Sequence, residues 1–120
     1  MIIALITILL LGGSGGMLAT IENADKQIKI VMLKGEDRQL ALNVLKDAKQ
    51  ATKRFNKVRN KANKKLLKAL QSHDLAVDEV DDLWSDFHQQ NYEFGLEIVE
   101  FRFRLKEHIN KDEWREVFPL

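Results

Sequence analysis

The apolar positions of this chain fall into three successive patterns. Residues 1–11 are apolar apart from Thr7, and the small-residue run at 12–16 together with Met17, Leu18 and Ala19 extends the uncharged stretch to Glu22. Next comes a short amphipathic stretch with Ile21, Ala24, Ile28 and Val31 on one helical face, ending at Gly35, which predicts a helix stop, with Asp37 as the cap of the following helix. Beyond it, apolar residues recur at Ala41, Val44, Ala48, Ala51, Phe55, Val58, Ala62 and Ala69 in steps dominated by three and four, the spacing of a helical seam. Ser72, His73 and Asp74 predict a turn, and a second seam follows at Val80, Trp84, Phe87, Asn91, Phe94, Ile98, Phe101 and Leu105.

The expected fold class is therefore all-α: an N-terminal hydrophobic helix, transmembrane or signal, then a long antiparallel two-helix hairpin and a short C-terminal helix. In domains this reads as 1–20 for the apolar segment, 21–35 for an amphipathic connector helix, and 36–120 for the hairpin with its tail. Folding about His73 pairs Ala62 with Trp84, Ala48 with Ile98 and Ala41 with Leu105, so small residues face large ones. Phe55 then falls opposite Asn91 and Gly95. Asn110 with Glu113 three residues on forms a capping box that starts the tail helix, which carries Trp114, Val117 and Phe118. One face is left over: Tyr92, Leu96, Val99 and Phe103 share helical spacing away from the seam and require a second partner. With Trp114 and Phe118 they make up the expected interaction surface; the tail, the 28–33 stretch and another copy of the chain are the occupants considered.

Charge sharpens this reading. The net charge of +1 hides ten Lys or Arg against one acid, Asp47, in residues 46–68, and nine acids with no Lys or Arg in residues 74–100. A wholly basic chain would suggest nucleic acid or anionic lipid as partner; here the next segment supplies the counter-charge, and internal neutralisation between the hairpin helices is the simpler expectation. The basic run has no nucleic-acid-reading motif and Phe55 as its only aromatic residue, so lipid headgroups rank above nucleic acid, and no nucleic-acid partner is expected.

About 20 uncharged residues approach the ~30 Å needed to cross a bilayer as a helix. A signal peptide is the competing reading, but the chain lacks a basic n-region and offers only Ser14 and Gly16 as a poor cleavage site, which favours an uncleaved anchor. Lys26, Lys29, Lys34 and Arg38 follow the segment and would place the remainder in the cytoplasm, whereas a signal-type reading places it in the periplasm. The periplasmic side of the inner membrane is the preferred expectation.

Chemistry finds little support. With no cysteine, no disulfide framework or thiolate site can form. His88 shares a helical face with Asp81, Ser85 and Tyr92, and His108 stands four residues before Asp112; these are the candidate hydrolytic or metal-binding groupings. Helical spacing generates such sets often, and no nucleophile elbow or oxyanion element accompanies them. Asp78, Glu79, Asp81, Asp82 and Asp86 lack the alternation and glycine of a calcium loop. The glycines form no phosphate-binding loop. No enzyme, cofactor or small-molecule substrate is expected.

The stretch from Phe101, Arg102, Phe103, Arg104, Leu105 and Lys106 through Ile109, Asn110, Lys111, Asp112, Glu113 and Trp114 to Phe118 resembles the tail of periplasmic heavy-metal sensor and Spy-like helical envelope proteins, over about a quarter of the chain. Asn110 stands where that pattern has threonine, Glu113 or Trp114 where it has glutamine, and the second copy of the motif is absent. The resemblance implies an exported, all-helical, stress- or metal-responsive protein; the sensor family's metal ligands have no counterparts here and are not carried over. The function expected from the sequence is that of a non-enzymatic, membrane-tethered helical interaction or scaffold protein of the cell envelope, with the metal- or stress-responsive sensor or chaperone-like protein as the alternative.

Overall fold

The structure, a computed structural model, describes residues 13–119. Four helices follow in order: α1 (Gly13–Val31), α2 (Glu36–Leu70), α3 (Val77–Lys106) and α4 (Lys111–Val117), with no strand among the described residues. All-α architecture and the long hairpin are thus as the periodicity predicts. Most of the expected membrane or signal segment, residues 1–12, lies outside the described residues. Residues 13–20 belong to α1, which runs unbroken across the expected boundary at 20–21, and Met17 is only 1% exposed in the protein core. Among the described residues no helix is long and apolar enough to cross a membrane; Glu22, Asp25, Lys26 and Lys29 place charges along α1.

Both hairpin helices follow from composition: residues 36–70 and 77–106 contain no proline and only Gly95, so nothing breaks the backbone ladder. α2 begins at Glu36 rather than after Asp37; Gly35 occupies the cap without a side-chain hydrogen bond, and Glu36 and Asp37 instead lie in the first turn, where negative charge offsets the helix dipole. The turn spans residues 71–76 and includes the expected Ser72, His73 and Asp74. α4 starts at the predicted capping box: Asn110 Oδ1 accepts from Glu113 N at 2.8 Å and Glu113 Oε1 accepts from Asn110 N at 3.1 Å.

α2 and α3 pack along each other, α1 lies along α2, and α4 closes onto α1. The hydrophobic core occupies the open end of the hairpin: Met17, Ile21, Ala24, Ile28 and Met32 meet Ala41, Val44, Leu45 and Ala48 of α2, Phe94, Ile98 and Leu105 of α3, and Trp114 and Val117 of α4. From residue 56 to residue 93 no side chain is buried. The described residues measure 60 × 22 × 18 Å, so a compact base carries a slender two-helix arm.

The packing corrects the expected register. Phe55 stacks on Phe94, with ring centroids 4.2 Å apart and planes 8° from parallel, instead of facing Asn91 and Gly95. Large meets large there, with α3 displaced by three residues from a fold about His73. Trp84 is 49% exposed and Val58 41% exposed, so neither belongs to the buried seam. Leu45 and Thr52, outside the expected seam, are buried because α1 widens the covered face of α2. The Thr52 hydroxyl donates to the Ala48 carbonyl at 2.8 Å, which satisfies it locally within the helix.

Charge pairing is corrected as well. No ion pair joins a basic residue of 46–68 to an acid of 74–100 among the described residues. The one ion pair between α2 and α3, Arg104 with Asp47 at 3.1 Å, runs in the opposite sense, and Lys49 reaches Glu22 of α1 at 3.4 Å. The reason is helical phase: Lys46, Lys53, Lys57, Lys64 and Lys68 repeat in steps of seven and four on the side of α2 opposite Ala48, Phe55 and Ala62. These five point away from α3 and stay in water, and apolar burial holds the hairpin together.

Candidate functional site

Four of the six expected surface residues form an open face, and two do not. On α3 Tyr92 is 64% exposed, Leu96 53% and Phe103 51%, with Val99 half-buried beside them. Trp114 is instead buried, its ring centroid 4.8 Å from that of Phe118 with the planes tilted by 43°, and both line the base with Met17, Thr20, Phe101 and Leu105. α4 packs against α1 rather than over Tyr92 and Leu96, so it completes the core and leaves that face bare. The sequence signal for this placement is the capping box, which fixes where α4 starts, with Ile109 packed just before it as a buried anchor.

The row of exposed side chains on α3 extends beyond the stretch from Tyr92 to Phe103 that helical spacing predicts. Continuing the same helical phase toward the N-terminus of α3 reaches His88, Trp84 and Val77, the last 75% exposed. Trp84 and His88 meet edge to face at 5.2 Å and 89°, and Phe87 lies 5.8 Å from Trp84. At the other end the Arg102 guanidinium sits 4.9 Å from the Phe103 ring and 5.2 Å from that of Trp114, linking the face to the base by cation–π contact. Asp81 and Ser85 share the N-terminal half of the face, and the apolar area gathers around Tyr92, Leu96, Val99 and Phe103; exposed apolar patches of this kind mark interaction sites.

The candidate catalytic and metal groupings do not assemble. His88, Asp81, Ser85 and Tyr92 share the face, yet no hydrogen bond joins any two of them among the described residues, and all four are exposed. His108 is half-buried with Nδ1 3.8 Å from Asp37 Oδ1, so its nearest carboxylate comes from α2, not from Asp112 on α4. No cluster of three or more His, Asp or Glu residues positioned to hold a metal ion occurs among the described residues.

Two concavities lie around the base. One, about 40 Å³, lies within the base among Met17, Ala24, Ile98 and Trp114, far below the ~300 Å³ of an ordinary small-molecule site. The other is an open groove between α1 and α2, where Glu22, Asp25, Lys29 and Lys49 pair among themselves. Neither gathers polar groups around an enclosed apolar space. Compared with family models, curated proteins and solved structures, the chain matches none, so the reading of its function rests on this geometry and on the sequence.

Proposed function

We propose that this chain is a non-enzymatic helical interaction protein of the cell envelope, tethered to a membrane through its apolar N-terminal residues and presenting the outer face of α3 to a protein partner. The observation that carries this reading is the row of exposed apolar side chains on α3, Tyr92, Leu96 and Phe103 among them, beside a base that already uses α1 and α4 to cover its own core. Burying a large apolar side chain of this kind contributes roughly 1.5 to 3 kcal/mol, so several together supply the driving force for a stable contact. The uncharged run before Glu22 supports the tether.

Two measurements test the proposal. A photo-reactive amino acid placed at Leu96 in the full chain and irradiated in cells yields covalent protein adducts, whereas the same group at Lys57 on the opposite helix yields far fewer; equal labelling from both positions removes the argument for the α3 face. Cell fractionation places the full chain with membranes and a chain lacking residues 1–12 in the soluble fraction. Recovery of the full chain in the soluble fraction overturns the tether while leaving the face to be judged on its own.

A further inference from the structure

The exposed face of α3 has a spacing that reads the same in both directions. Val77, Trp84, His88, Tyr92, Leu96 and Phe103 are separated by seven, four, four, four and seven residues. Each separation is a whole number of turns to within a fraction of a residue, so all six lie on one side of the helix. All six are exposed. A generic amphipathic face needs no such symmetry, but a face that meets its own copy running the other way does: Val77 falls opposite Phe103, Trp84 opposite Leu96, and His88 opposite Tyr92.

Charge along α3 reverses in the sense this arrangement requires. Asp74, Asp78 and Asp81 mark its N-terminal end, while Arg102, Arg104 and Lys106 crowd its C-terminal end, after nine acids with no intervening Lys or Arg. Antiparallel pairing sets the acidic end of one copy against the basic end of the other and opposes the two helix dipoles favourably. Parallel pairing would align acids with acids. Arg102 is the best placed of the basic residues, at the edge of the face, and its shielded Nε finds no hydrogen-bond acceptor within the described residues. Asp81 lies on the face and falls opposite Val99, within one turn of Arg102 of the second copy, while Asp86, Glu93 and Glu97 lie about a third of a turn away and remain in water on assembly.

We infer that the outer face of α3 binds a second copy of this chain, α3 against α3 in antiparallel register about a two-fold axis near residue 90. This inference rests on the proposed function and names the occupant of the same face. An isologous contact of this kind closes on itself, so the product is a dimer and not a filament.

The absence of cysteine in the natural sequence makes the test direct. Two full-length variants, Val77→Cys and Phe103→Cys, are each exposed substitutions that leave the core untouched. On one α3 these positions lie about 40 Å apart at the helical rise, beyond the reach of a short bis-maleimide. The expected result is cross-linked dimer when the two variants are mixed and only monomer with either variant alone. In sedimentation equilibrium, Leu96→Asp weakens self-association roughly 30-fold or more, with circular dichroism and melting unchanged. Efficient cross-linking of Val77→Cys with itself would show parallel pairing and overturn the inference, as would a monomer across the whole concentration series.

The Leu96 photo-adduct separates this inference from the reading beneath it. An adduct of twice the chain mass supports both. An adduct only with a different protein keeps the interaction role and overturns self-pairing. Absence of any adduct overturns both.

Discussion

At the base of the hairpin and along its arm the same two helices meet under different circumstances. In the base, α2 buries Ala41, Val44, Leu45, Ala48, Ala51, Thr52 and Phe55, because α1 adds a second covering layer beside α3. In the arm, Ala62, Leu66 and Ala69 of α2 and Val80, Leu83 and Phe87 of α3 reach only half burial, because two helices alone offer each other a single narrow seam. Stability in this molecule thus resides where a third helix lies, and the Phe55–Phe94 stack marks the last point it reaches. Just past that stack, Asn56 Oδ1 and Gln90 Oε1 are shielded without a hydrogen-bond partner among the described residues. An arm with little core of its own and an apolar outer face suits a segment whose second layer arrives from another chain.

The contrast can be broken most severely at the base. Phe94→Asp places a charge where the side chain is 3% exposed against Phe55, and the chain should lose its cooperative thermal transition, with a cost of at least ~4 kcal/mol. A melting curve like that of the natural chain would mean that the stack is not part of the stable core. Ala48→Trp overfills the contact among α1, α2 and α3 at a site 3% exposed, and a loss of about 1–3 kcal/mol in denaturant unfolding is expected. An equal loss from Ala62→Trp in the arm would erase the distinction between the two regions.

Native-state hydrogen exchange resolves a finer difference. Backbone amides of residues 59–90 should open at a lower free energy than those of residues 41–55 and 94–105, since local stability follows buried apolar contact. Uniform protection along α2 would show that the arm has a covering layer under the conditions used, and its dependence on protein concentration would identify that layer as a second copy. The smallest effect expected is that of Ser85→Ala. Ser85 is exposed and makes no hydrogen bond to His88 or Asp81, so melting should shift by no more than the equivalent of ~0.5 kcal/mol. A larger change would point to a role for the Asp81, Ser85, His88 and Tyr92 grouping that the geometry does not provide.

The sequence by itself determined the two long helices, the turn between them, the capping box at Asn110 and five of the seven α2 residues buried at the base, Leu45 and Thr52 being the two it left out. These are local matters: proline and glycine are nearly absent from α2 and α3, and a spacing of three and four residues leaves one choice of apolar side. It also marked Tyr92, Leu96 and Phe103 as an apolar face outside the seam, which the structure leaves exposed, though not that exposed apolar residues continue to Val77. Only the tertiary structure decided the register that sets Phe55 on Phe94, the burial of Trp114 in the base instead of on the open face, and the exposure of Trp84. It also showed that the basic and acidic runs do not neutralise each other. Periodicity fixes the side of a helix on which a residue lies, but sliding one helix along another by three residues keeps that side nearly unchanged. That choice depends on contacts between residues far apart in the chain, such as Phe55 with Phe94 and α1 with α2.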